Sequence, residues 1–418
     1  MIVLKRIYSS IDIGTDTIKL VVCELYNNRL NLLAASSVKS KGIKKGLIVN
    51  PNEATISIKK VFDDVEAMLG IKIKQVIASI PSYFAEFNII KGKININEEE
   101  IITGNEIVEV LDNAMGSRNE VNREMVNILP IDFTLDGKTG IKDPKGLKGN
   151  ILEVRAIMAT APSKMVYSIV GILNNLGIDI VDISFGSVGD IYTFNNSSLQ
   201  DKIGCVINIG HETTTISLYN KGTIVKSSII CMGSKNITND LAYMYKIDID
   251  QAEKVKQKLA LAHKKYASSS EYMDIVSNEY DSIMRINQLE ASEVVMARIN
   301  EILELSNKEI NSLTSHEIEY IIITGGISNM PHFEYCIDDY FKNVAFIGNI
   351  TIMGIRNNKY SSALGNILYF ISKLELKGVK ATMVEKQTSD EIGIPTKNGI
   401  SISRESMIGK VFGYFFGQ

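Results

Sequence analysis

Ile11-Asp12-Ile13-Gly14-Thr15-Asp16-Thr17 and Ile207-Asn208-Ile209-Gly210-His211-Glu212-Thr213 repeat one pattern 196 residues apart, the interval from Asp12 to Asn208. In each, a β-branched run carries one polar side chain, breaks at a glycine and resumes at a threonine. Self-similarity of this kind is weighed before any fold is chosen. Each copy leads into further strands: Ile7 to Ile13, Ile18 to Tyr26 and Leu30 to Ala35 in the first, and in the second a strand-rich block from Ile203 with the hairpin signal Asn220-Lys221-Gly222. Two homologous lobes facing each other follow from this. Each lobe offers a tight glycine turn whose N–H groups and hydroxyls suit phosphate oxygens. An acid at the strand end suits a magnesium ion held through water.

A third run, Tyr320-Ile321-Ile322-Ile323, ends in Thr324-Gly325-Gly326, where a glycine pair lets a flat ligand such as a purine approach the backbone. A loop and a helix from about His332 to Phe341 are expected after it. Glu253 and Lys256 stand three apart on a helix whose expected cap is Asp250, and can share one face toward a ribose. Between the copies, Asn50-Pro51 with Glu53 opens a helix that runs to Leu69, and Gln75 to Ile80 reads as a strand. Residues 81–160 change character, with Asn/Glu/Lys-rich strands, one helix near Thr103 to Met115 and a Gly/Lys-rich stretch from Asp136 to Gly149. They read as an inserted α+β unit. A helix from Ser163 to Leu176 and a strand from Ile178 to Phe185 resume the interrupted domain.

The 418 residues suffice for two to four units of roughly 150 each. With 45 basic and 48 acidic residues the net charge is −3, which gives no general electrostatic reason to bind nucleic acid. The four cysteines, Cys23, Cys205, Cys231 and Cys336, contain no CxxC pair, and the four histidines have no metal spacing. No secretory signal pattern precedes the first strand, and no apolar run reaches the roughly 18 residues of a spanning helix. A cytoplasmic protein with at most peripheral membrane contact is expected.

The two glycine turns, the Thr-Gly-Gly strand end and the duplication resemble the actin, Hsp70 and sugar-kinase superfamily. Within it, Asn127-Ile128-Leu129-Pro130, Gly140-Ile141-Lys142-Asp143-Pro144 and Gly146-Leu147-Lys148-Gly149 resemble the inserted subdomain of the FtsA family of bacterial cell-division proteins. The resemblance extends from about Ile7 to Leu376 and resumes at the C-terminal tip. It implies an α/β, actin-like two-lobed ATPase fold with an SHS2-like insertion and a C-terminal amphipathic helix. The implied division is residues 1–80 and 161–200 for the first lobe, with 360–376 packing back on it, and 81–160 for the insertion. Residues 201–246 and 314–359 form the second lobe's core, 247–313 its smaller subdomain, 377–403 a linker and 404–418 the membrane helix. The implied function is an ATP-binding protein that forms filaments with itself on the cytoplasmic face of the membrane at the division site and tethers the tubulin-like FtsZ there.

Carried over by motif, Asp12, Gly14, Thr15, Asp16, Thr17 and Lys19 make the first phosphate loop, with Asp12 holding magnesium through water. Asn208, Gly210, His211, Glu212, Thr213 and Thr214 make the second. Gly325, Gly326 and Met330 lie beside adenine, and Glu253 and Lys256 beside ribose. Glu293, Arg298 and Glu301 are implied to touch the FtsZ C-terminal tail. The family's second loop commonly reads Asp-Ile-Gly-Gly-Gly. Here a neutral Asn208 supplies no charge toward magnesium and Glu212 adds a negative group, so nucleotide is expected to act as a conformational ligand with slow hydrolysis at most.

At the tip, Met407, Ile408, Val411, Phe412, Phe415 and Phe416 fall within an arc of roughly 180° at 100° per residue, with Gly409, Gly413 and Lys410 opposite. A dozen residues make a helix of about 18 Å, short of the roughly 30 Å hydrocarbon core, so it is expected to lie in the interface. Two readings of other classes stand beside this one. A small-molecule kinase needs an acid as base for its acceptor, a role open to Asp12, and a pilus or secretion assembly protein of the same superfamily keeps the ATP site and binds another peptide.

Overall fold

The computed structural model describes residues 5–96, 101–116, 122–276 and 283–384. The first lobe opens with the antiparallel strands β1 (Arg6–Ile13), β2 (Thr17–Tyr26) and β3 (Arg29–Lys39), followed by helix α1 (Pro51–Leu69) and strand β4 (Gln75–Ile80). Asn50 caps α1 through its side chain, Pro51 takes the first turn where its missing N–H costs nothing, and Gly70 ends it in the left-handed region.

The insertion then adds β5 (Glu86–Asn95), α2 (Gly104–Met115), β6 (Arg123–Leu135), β7 (Lys138–Ile141) and β8 (Ile151–Pro162). Its strands form a separate sheet in the order β5-β8-β6-β7, whose own core is closed by Ile107, Val110 and Leu111 of α2. A capping box, Thr103 with Glu106, starts α2.

The chain returns to the first lobe through α3 (Ser163–Asn175), β9 (Asp179–Phe185) and α4 (Gly186–Phe194). The second lobe contains β10 (Ile203–Ile209), β11 (Thr214–Asn220), β12 (Thr223–Ile230), α5 (Ser234–Tyr245) and α6 (Ile249–Lys258). It continues with the ribbon β13 (Tyr272–Val276) and β14 (Ile283–Asn287), then α7 (Gln288–Leu313), β15 (Tyr320–Thr324), α8 (Phe333–Phe341) and β16 (Ala345–Ile347). Helix α9 (Ser361–Leu376) crosses back to pack on α4 and β1.

The duplication is visible in the backbone. The first sheet runs β3-β2-β1-β4-β9 and the second β12-β11-β10-β15-β16, each with three antiparallel strands followed by two parallel ones. Registers agree as well. Asp12 faces Lys19 and Ile13 faces Ile18 in the first hairpin, while Asn208 faces Thr215 and Ile209 faces Thr214 in the second. Both turns therefore span the same number of residues, which brings the two strand ends to equivalent places.

Two sequence expectations are corrected. Asp248, not Asp250, caps α6, since its Oδ1 accepts from the Gln251 N–H at 2.7 Å and its extended backbone places Ile249 first in the helix. The segment after Lys377 does not begin as a free linker. Ala381, Met383 and Val384 are buried, the Met383 N–H donates to the Ile7 carbonyl, and Thr382 Oγ1 accepts from the Ile7 N–H, so this stretch is docked on β1. Its few apolar residues lack a helical period, and their partner lies at the other end of the chain.

Candidate functional site

The two strand ends and the Gly325-Gly326 corner meet around one polar cleft between the lobes, with a cavity of about 420 Å³. That is within the size range of small-molecule sites. From the first copy, Asp12, Gly14, Thr15, Asp16, Thr17 and Lys19 line it, and from the second Asn208, Gly210, His211 and Thr213. Glu253, Lys256, Gly325 and Gly326 complete the sequence-derived set.

Charges in the cleft are arranged in pairs. Lys19 Nζ lies 2.8 Å from Asp12 Oδ2 across the first hairpin. Asp16 accepts from Lys39 and stands 3.8 Å from His211 Nε2. Burial pushes the Asp16 carboxyl up, but the Lys39 hydrogen bond, with the charges of His211, Lys39 and Lys256, outweighs it and leaves the group below its ordinary value. The same burial, with Lys256 and Lys39 nearby, holds the His211 imidazole below its usual value against the pull of Asp16. Lys256 Nζ is 2.7 Å from Glu253 Oε2, and both groups bond Thr238 Oγ1. Lys359 borders the cleft half-buried and, among the described residues, forms no ion pair, which leaves one cation there free for an anionic ligand.

Three sequence-derived residues face elsewhere. Glu212 pairs with Lys235 Nζ at 2.7 Å and accepts from the Lys45 N–H, and does not line the cleft. Thr214 is buried and donates to the Met232 carbonyl, because it lies one residue beyond Thr213 on the alternating strand. Met330 packs on the second lobe's core. Gly325 is also required for a different reason than ligand approach. Its φ is +96°, and a Cβ there would sit 2.3 Å from the Ile209 carbonyl, whereas a Cβ on Gly326 would meet nothing within 4 Å. Gly325 thus joins β15 to β10, and Gly326 is the position open to the cavity.

Sequence reasoning missed the helical side of the cleft. Ser187, Asp190, Asn358 and Ser362 all border it. Asp190 of α4, 2 % exposed, accepts from Asn208 Nδ2 at 2.7 Å, Ser361 Oγ at 2.6 Å and Ser362 Oγ at 2.8 Å. Burial pushes its carboxyl up to about 6 against those three hydrogen bonds, and the charge of Asp12 adds to the rise. Only the interruption of the small-residue run Gly186-Ser187-Val188-Gly189 by an acid could have signalled it. Asn358 is equally well hidden. Its Nδ2 bonds Ser328 and the Gly348 carbonyl, while its buried Oδ1 has no donor among the described residues.

Helix α7 carries the other predicted group. Arg298 makes a two-pronged pair with Asp240 of α5, at 2.6 and 2.9 Å, and also bonds Glu301. Glu293 is exposed and lies 3.3 Å from Lys264. Arg298 therefore holds α5 to α7 as well as facing the surface. Met407, Ile408, Val411, Phe412, Phe415 and Phe416 lie outside the described residues. Among the described residues no helix is long and apolar enough to cross a membrane, and no cluster of three or more His, Cys, Asp or Glu could hold a metal directly.

Two lobes of one topology enclosing a polar, cation-lined cleft define the actin-like ATPase fold. Solved structures agree: the PilM-PilN type IV pilus biogenesis complex matches with TM-score 0.58 at 15 % identity over 87 % of this chain and 98 % of that one. MreB5 of Spiroplasma citri bound to ADP matches with TM-score 0.56 at 14 % identity over 89 % and 98 %. The family model for cell division protein FtsA matches residues 205–365, and that for the SHS2 domain inserted in FtsA matches residues 86–160. Cell division protein FtsA of Bacillus subtilis is 27 % identical over 90 % of this chain and 86 % of its own length, and that of Buchnera aphidicola 27 % identical over 88 % and 92 %. The chain belongs to the FtsA family.

Proposed function

We propose that this chain binds magnesium ATP in the interlobe cleft and acts as a division-site adaptor, forming filaments on the cytoplasmic face of the membrane and tethering FtsZ to it. The convergence of two duplicated strand ends and Gly326 on a single cleft carries the nucleotide part of this reading. The cleft's chemistry fits such a ligand. Lys19, Lys256 and Lys359 supply positive charge, the glycine turns and Thr15 and Thr17 supply donors, and the orphaned Asn358 Oδ1 accepts from a donor such as an exocyclic amine.

Hard oxygen donors suit magnesium, which keeps most of its waters and takes one or two carboxylates beside phosphate. Asp12, which lines the cleft at the end of β1, is assigned that role. When bound, the ion neutralises phosphate charge. Among the described residues no acid in the cleft is left free to serve as a strong base, since Asp12, Asp16 and Glu253 are held by cations and Asp190 by three donors, so hydrolysis is slow and the nucleotide acts mainly by favouring one lobe arrangement. This disfavours the kinase alternative.

The FtsZ tail is assigned to the α7 surface around Glu293, Arg298 and Glu301, and membrane attachment to the apolar arc from Met407 to Phe416. Liposome flotation of labelled FtsZ, with the intact chain and with a version ending before Ser403, tests the adaptor role. Recruitment by the intact chain alone supports it. Flotation of the chain without FtsZ moves the pilus-type assembly reading ahead.

A further inference from the structure

The duplication makes a like-for-like comparison possible at the strand ends. In the first hairpin the cross-strand pair is charged, Asp12 with Lys19. At the same register in the second it is Asn208 with Thr215, so both charges are missing. A carboxylate nevertheless stands at that place. Asp190 reaches it from α4, receives the Asn208 amide on Oδ2 at 2.7 Å and two serine hydroxyls of α9 on Oδ1, and borders the cleft beside Asp12. A carboxylate offers about four acceptor positions, and three are occupied by these donors.

We propose that Asp190 supplies the carboxylate that the second copy lacks, with Asn208 as its positioning residue, so that Asp12 and Asp190 together face the water shell of the divalent cation that accompanies the phosphates. The proposal rests on the magnesium-nucleotide reading of the cleft. Asparagine is the residue this arrangement requires at 208. An aspartate there would place two carboxylates in hydrogen-bond contact in a buried setting, where like charges cannot both ionise without cost. The bond also crosses between lobes, because α4 belongs to the first and β10 to the second. The second lobe's strand end thereby lends no charge of its own and instead fixes one carried by the first.

Charge exchange between the two positions provides the test. Titration of the full chain with a non-hydrolysable ATP analogue, in magnesium and in chelator, gives the ratio of the two affinities. Asp190→Asn is expected to lower that ratio on the order of 10- to 100-fold. Asn208→Asp is expected to lower the melting temperature. The double exchange, Asp190→Asn with Asn208→Asp, rebuilds the same hydrogen bond with donor and acceptor reversed and is expected to recover both the melting temperature and the magnesium ratio. A folded Asp190→Asn variant with the wild-type ratio overturns the proposal, as does a double variant no better than Asn208→Asp alone. Absence of analogue binding to the wild-type chain instead overturns the nucleotide reading, and the cation role with it.

Discussion

The first strand–turn–strand copy pairs its strand-end acid within its own hairpin, whereas the second leans on its neighbour. Asp12 finds its cation seven residues along the same hairpin, while Asn208 finds its partner on a helix of the other lobe and, through that partner, touches α9. The backbones match strand for strand and register for register. What duplication has preserved is thus the placement of a strand end at the cleft, and the chemistry delivered there is free to change source. A consequence is that the partner of the second strand end depends on how α4 and α9 are packed, whereas the partner of Asp12 lies within its own hairpin.

The harshest way to break this contrast is at the α4–α9 contact. A Cβ on Gly365 would lie 1.6 Å from the Gly189 carbonyl, and both elements are rigid helices. Gly365→Val is expected to destabilise the chain by about 3 kcal/mol or more in denaturant unfolding, since backbone must move. Next comes Gly325→Ala, which adds a side chain at φ +96° and 2.3 Å from the Ile209 carbonyl. It is expected to cost about 2 kcal/mol and to push β15 away from the second strand end, with the first hairpin's amide-exchange protection unchanged.

A subtler probe acts on the first copy alone. Lys19→Met leaves Asp12 without its 2.8 Å partner and removes a cation from the cleft, so ATP affinity is expected to fall on the order of tenfold or more by calorimetry. The smallest effect concerns the turns themselves, where His211 stands in place of Thr15. Burial holds the His211 imidazole below its usual value, so the unfolded chain takes up its proton first as the pH falls. Stability should therefore decline as pH drops below about 6.5, and His211→Thr should flatten that part of a melting-temperature profile. A steeper profile in the variant would contradict the assignment.

Much of this was legible in the sequence for a simple reason. Strand, glycine turn and strand are adjacent in the chain, so alternation and a turn residue disclose β1–β2 and β10–β11 together with most of their cleft-facing groups. Asp190 was not legible because its partners are Asn208, 18 residues on, and Ser361 and Ser362, more than 170 residues on, brought together only by helix packing. Glu212 misled for the opposite reason. Its place in the motif suggested a phosphate neighbour, while Lys235 and the Lys45 N–H hold it beside the cleft and not in its lining. The docking of residues 381–384 on β1 was hidden likewise, since its partner Ile7 lies near the other end of the chain.

If the two copies build one nucleotide site, calorimetric titration of the full chain with ATP in magnesium will give one site per chain, weakened by Lys19→Met in the first copy and equally open to disruption from the second through Gly325→Ala. Two independent sites, or no binding by a well-folded chain, would contradict it.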